Sequence, residues 1–194
     1  AVALARLGYK VGLADADVYG PSVPKMTATE GAMPDAFQDG DKEVIMPLEK
    51  YGVKWMSIGY FAKPEQALIW RGPMACNALK QMILQVRWGE LDFLLIDMPP
   101  GTSDIAISVI QQIPVDEFVM VTTPSKLVSM VVGKAINMAK TVNKPIAGLV
   151  ENMAYIKCDK CGHEISIYKN DVTEEIAEKY GLKVAAKMPM DPEL

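Results

Sequence analysis

Leu94-Leu95-Ile96-Asp97-Met98-Pro99-Pro100-Gly101 is the stretch on which the fold turns. From Phe93 the run carries no polar side chain until Asp97, the mark of a parallel-sheet strand covered on both faces. The Pro-Pro-Gly turn then takes the chain out of the strand. A carboxylate at the end of such a strand can hold Mg²⁺ through water beside nucleotide phosphates. Taken alone, Asp97 reads equally well as a cap on the following loop.

The same grammar extends outward. Apolar runs at 11–14, 43–48, 53–58, 118–123 and 146–150 read as strands, with 15–41 rich in loop residues. Apolar residues at helical spacing mark helices over 73–88, 105–113 and 127–142. A further helix begins at Asp171, with Glu174 as its capping-box partner and Gly181 as its stop. Strands alternating with helices predict an α/β fold, a mainly parallel sheet flanked by helices. Ligands bind such sheets beyond the carboxyl ends of the strands. That address is shared by Asp15 and Asp17, Asp97, Thr122 and Thr123, and Asn152.

Composition narrows the classes. The 194 residues fit one domain, 1–194, that includes a Cys-x-x-Cys metal segment at about 155–168. A net charge of −4 without a basic stripe gives no support for nucleic-acid binding, and no apolar run is long enough for a membrane span. Three cysteines point away from a disulfide framework and toward a reducing, cytoplasmic setting. Ala1 to Leu7 reads as the tail of a helix stopped by Gly8, so the chain is expected to be part of a longer protein. No glycine-rich phosphate loop occurs within it.

Several residues carry candidate chemistry. Asp15 and Asp17, one residue apart on extended chain, face opposite ways and take different roles, one in a metal shell and one orienting or deprotonating the attacking water. Solvated turn acids are the plainer account. Asn152 can read a nucleobase edge, since its amide donates and accepts, or can be a simple turn residue. Arg71 can meet a phosphate or a partner subunit, or lie idle on the surface. Cys158-x-x-Cys161-Gly162 offers two thiolates to one ion or cluster edge. A full site wants about four ligands, which leaves open a metal bridged between two chains, half of a zinc knuckle, or a redox dithiol. Cys76, inside a helix, reads as a packing residue.

Together these stretches, with Ile69-Trp70-Arg71-Gly72-Pro73-Met74, Trp88-Gly89-Glu90-Leu91-Asp92, Val121-Thr122-Thr123-Pro124 and Glu151-Asn152-Met153, resemble the Mrp/ApbC-type P-loop ATPases. These are iron–sulfur cluster carrier proteins of the MinD/nitrogenase-iron-protein-like superfamily. The resemblance implies a MinD-like P-loop NTPase fold with its first strand and phosphate loop missing here, so that this chain alone does not turn over ATP. It implies a homodimer binding ATP and Mg²⁺, with Asp17 in switch I near the attacking water and Asp97 as the magnesium residue. Asp15, Arg71 and Asn152 would serve nucleotide binding, with Asn152 at adenine. Cys158 and Cys161 of two chains would bridge a [4Fe–4S] cluster, zinc being the alternative metal. Partners would be apo iron–sulfur proteins and cluster-assembly scaffolds. A MinD/ParA-like regulatory ATPase, or a dimer stapled by structural zinc, is the competing expectation.

Overall fold

The computed structural model describes residues 1–40, 42–61, 72–103, 106–107, 110–111, 113–166, 168 and 172–191. Arg71, Asp171 and residues 105, 108, 109 and 112 of the helix expected at 105–113 lie outside them, while 106–107 and 110–111 are helical. The chain divides into two compact units, Ala1–Ile113 and Pro114–Leu194. Both carry parallel strands with helices, the α/β class that the alternation of the sequence predicts.

In the first unit, α1 (Val2–Arg6) leads into β1 (Val11–Asp15). Gly8 sits at φ +94° between them, a left-handed stop that glycine adopts without cost. A short helix α2 (Val23–Met26) and strand β2 (Ala36–Asp39) fall in the stretch read as loop. Strand β3 (Lys42–Ile45) pairs antiparallel with β2 and ends earlier than expected, because Pro47 cannot continue a ladder. Strands β4 (Leu48–Lys50) and β5 (Val53–Ser57) form a hairpin closed by Tyr51 and Gly52, both at positive φ. Helix α3 (Gly72–Leu84) stops one turn short of the predicted end, and Trp88 lies beyond it. The sheet order is β4-β5-β1-β6, with β6 (Phe93–Asp97) and β5 both parallel to β1.

Strand β6 corrects one expectation. It is the edge of this sheet, with Phe93 41% and Leu94 37% exposed, not a strand covered on both faces. Phe93 finds edge-on cover from Tyr9, ring centroids 5.2 Å apart.

Where β1 passes beneath the loop after α3, only glycine fits. A Cβ at Gly12 would lie 2.8 Å from Leu91 Cδ1 and 2.9 Å from the Trp88 ring, and that ring is tethered by an indole N–H donated to Ile83 O at 3.0 Å. Gly12→Ala is therefore expected to overpack this face and cost about 1–3 kcal/mol, read as a lower urea midpoint with unchanged slope.

The second unit has strand order β10-β8-β7, all parallel: β7 (Phe118–Thr122), β8 (Ile146–Lys157) and β10 (Val184–Pro189). Strand β8 runs seven residues beyond its expected end, and its far part pairs antiparallel with β9 (Glu164–Ser166). Strand β10 was not foreseen in the sequence. Helices α4 (Lys126–Thr141) and α5 (Val172–Tyr180) cover one face. Met120, Leu149, Val132, Ile136, Ala139, Val172, Ile176 and Ala177 form the core between them. No helix among the described residues is long and apolar enough to cross a membrane.

Candidate functional site

The first unit gathers three carboxylates at the carboxyl ends of β1 and β6. Asp15 and Asp97 are register partners, and the Ala16 N–H donates to Asp97 O at 2.8 Å as the two strands part. Asp15 is buried, 1% exposed, and its carboxylate accepts from the loop that it starts and from the end of β5. Its Oδ1 accepts from Asp17 N at 3.1 Å, and its Oδ2 from Ser57 Oγ at 2.9 Å and Val23 N at 3.4 Å. Asp17 is half-buried, and its Oδ1 accepts from Tyr19 N and Gly20 N, each at 3.1 Å. No hydrogen bond reaches Asp17 Oδ2 among the described residues. The two acids thus differ in setting, Asp15 buried and Asp17 half-buried.

Electrostatics marks this cluster as a place wanting positive charge. Burial raises the Asp97 pKa, and the neighbouring Asp17 raises it further. Burial also raises that of Asp15, against three opposing hydrogen bonds, with Asp97 adding to the rise. Carboxylates that repel one another at a strand end are relieved by a cation, and since no three of the described acids are placed to grip one directly, Mg²⁺ here would be held largely through water.

The stability consequence has a definite sign. Both acids bind protons more tightly folded than unfolded. Their contribution is complete below the ordinary carboxylate range and is lost as pH rises through the elevated folded values. Ionising either in the fold therefore carries a cost. Asp97→Asn is therefore expected to raise Tm at pH 7 by roughly 1–3 °C, and the gain is expected to vanish near pH 4. A lower Tm at pH 7 would contradict it.

In the second unit, Asn152 lies within β8, not past its end. Met153 follows at φ +55°, and the register with β10 shifts between Lys187 and Pro189. This irregularity re-aims the chain locally, and the Met153 N–H donates to Asn152 Oδ1 at 3.0 Å. Beside it, Glu151 is 3% exposed and its Oε2 takes no hydrogen bond, lying 3.7 Å from Lys187 Nζ.

Cys158 and Cys161 occupy the tight turn between β8 and β9. The turn is closed by Cys158 N donating to His163 O at 2.9 Å and Gly162 N donating to Cys158 O at 2.8 Å, with Gly162 at φ +71°. The neighbouring Cys161 and Lys160 backbone N–H groups, with the Cys161 side chain, lower the Cys158 pKa. Such neighbours favour the thiolate, the metal-binding form. Cys161 is exposed. Among the described residues, no group of three or more His, Cys, Asp or Glu is placed to hold a metal.

Sequence reasoning passed over two buried polar residues. Ser57 ends the otherwise largely apolar β5 and is fully buried. Glu151 interrupts an apolar strand. A polar residue at or inside an apolar run was the available signal for each.

Comparison with known proteins places the chain. A model of the ParA family, described as NUBPL iron-transfer P-loop NTPase, matches residues 1–194. An iron–sulfur cluster carrier protein of Aquifex aeolicus is 45% identical over 197 residues, covering 100% of this chain and 53% of that protein. The chain spans about half to two-thirds of the curated relatives it matches, as with that of Pyrococcus horikoshii, of which 66% is covered. A nucleotide-binding protein from Archaeoglobus fulgidus, solved with ADP, superposes with TM-score 0.82 at 35% identity, covering all of this chain and 74% of that one. The chain belongs to the ParA family of P-loop NTPases, in its NUBPL iron-transfer branch.

Proposed function

We propose that this chain forms part of an ATP-dependent iron–sulfur cluster carrier, a cytoplasmic homodimer that receives a [4Fe–4S] cluster and passes it to apo-proteins. The observation that carries the reading is the Cys158–Cys161 turn. Its backbone amides favour the thiolate at Cys158, while the described residues offer no third ligand beside the pair. Two thiolates per chain fit a cluster shared across a two-fold axis, which completes the usual four. The relatives named as cluster carriers support the same cargo.

In this reading both units belong to one ATPase domain. Asp97 would hold Mg²⁺, which when bound neutralises phosphate charge. Asp17, with Oδ2 free, would orient or deprotonate the attacking water. Asp15 would serve nucleotide binding in the first unit, and Asn152 would read a base in the second.

Iron, sulfide and zinc per chain are to be measured after anaerobic reconstitution, together with the dimer fraction. About two irons and two sulfides per chain in a dimer are expected. Zinc alone, or metal on a monomer, would replace the carrier with a structural knuckle.

A further inference from the structure

We infer that the buried Asp15–Ser57 pair is a latch that fixes the loop carrying Asp17. It makes Ser57 and the turn after it a positioning platform for hydrolysis. The inference rests on Asp17 acting on the attacking water, and it adds residues from a distant strand to that site.

The geometry is a chain of contacts from one segment to another. Residues 57–60 lie at the end of β5 and in the following 3-10 turn, Ile58–Tyr60. The Ser57 hydroxyl works in both directions: it donates to Asp15 Oδ2 at 2.9 Å and accepts from Gly59 N at 3.1 Å. Asp15 in turn receives the N–H groups of Asp17 and Val23, so one carboxylate ties both ends of the 17–23 loop to β5.

A second anchor lies farther along the loop. The Tyr60 hydroxyl bonds Thr29 Oγ1 at 3.0 Å, Thr29 bonds Thr27 Oγ1 at 2.8 Å, and Thr27 donates to Val23 O at 2.7 Å. Gly59 supplies the floor. A Cβ there would lie 3.0 Å from Pro24 Cγ and 3.2 Å from Pro21 Cβ, so Pro21 of the loop and Pro24 of α2 rest directly on its backbone.

Asp17 hangs between these anchors. Its Oδ1 is held by the Tyr19 and Gly20 amides of the same loop, so its carboxylate moves wherever the loop moves. A buried, fully paired carboxylate is a rigid anchor, because every alternative leaves a charge unsatisfied. Misplacing a catalytic group by an ångström can cost about a hundredfold in rate.

Two readouts test the latch in the Ser57→Ala variant, which removes one oxygen and adds no bulk. The first is hydrogen exchange without nucleotide. The Asp17 and Val23 amides are expected to exchange about tenfold faster, the loss of one buried hydrogen bond, while the Val11 and Leu13 amides of β1 keep their protection. Unchanged Asp17 and Val23 amides, or loosening of β1 as well, would overturn the latch. This holds whether or not the protein hydrolyses ATP.

The second readout is turnover by the intact protein, phosphate loop included. Ser57→Ala is expected to lower kcat about tenfold or more with the KM for ATP within about twofold, and to add nothing in the Asp17→Asn background. A twofold or smaller change in kcat, or equal losses in the two backgrounds, would overturn the positioning role. Absence of turnover in the unsubstituted protein would instead remove the hydrolase reading, leaving exchange to decide the latch.

Discussion

Cys158→Ala and Cys161→Ala each lose the reconstituted cluster. Iron and sulfide are expected to fall about tenfold or more, and the brown colour with them, since losing a supporting residue alone costs a metal site 10–100-fold. The two losses are expected to differ in character. Cys158 carries the amide-supported sulfur, and its turn is held by backbone bonds through Cys158 N, Cys158 O and His163 O, which alanine preserves. Alanine there removes a ligand without removing the turn. Cys161 is exposed, and its backbone N–H, which helps to lower the Cys158 pKa, survives in alanine, so alanine at 161 leaves that sulfur still supported. Both variants are expected to keep the Tm of the parent within about 2 °C, because neither side chain belongs to the core of the second unit. Hydrolysis by the intact protein is expected to stay nearly unchanged. If it collapsed with the cluster, independent roles for the two sites would be wrong. Zinc retained at full occupancy by either variant would sink the two-thiolate site itself.

What the sequence made legible was direction. Apolar runs ending in acid marked β1 and β6, and parallel pairing then brings Asp15 beside Asp97, as the register of the two strands requires. Periodicity likewise found α4 to within a residue at its C-terminal end. Partnership was harder to read. The apolar character of β6 states a demand for cover, but Phe93 and Leu94 remain exposed at a sheet edge. The continuation of β8 through residue 157 was hidden because Glu151 and Asn152 look like a strand's end, whereas a local irregularity lets the strand pass them. Ser57 went unremarked because its partner stands 42 residues away, and a polar residue ending an apolar run signals a buried partner without naming it. Long-range polar pairing is a property of the fold, visible only once β1 and β5 lie side by side.

Asp17→Asn is expected to abolish most turnover while leaving nucleotide affinity nearly intact. The amide is the right probe because of how the carboxylate is held. Its Oδ1 accepts from Tyr19 N and Gly20 N, and asparagine keeps an oxygen at that place, so the loop need not move. What changes is the other atom, a basic Oδ2 replaced by an amide nitrogen that cannot take a proton. Positioned general bases contribute about 10²–10⁴ in rate, so kcat in the intact protein is expected to fall at least about a hundredfold. The KM for ATP should stay within about threefold, since the lost interaction belongs to the transition state. Asp97→Asn, by contrast, is expected to weaken the magnesium dependence first, shifting the half-saturating Mg²⁺ concentration upward by about tenfold or more. The two acids therefore separate by titration with metal: high Mg²⁺ should recover part of the Asp97→Asn rate and none of the Asp17→Asn rate. Rescue of both by magnesium would mean that Asp17 too acts only through the cation, and the division of labour between Asp17 and Asp97 would fail.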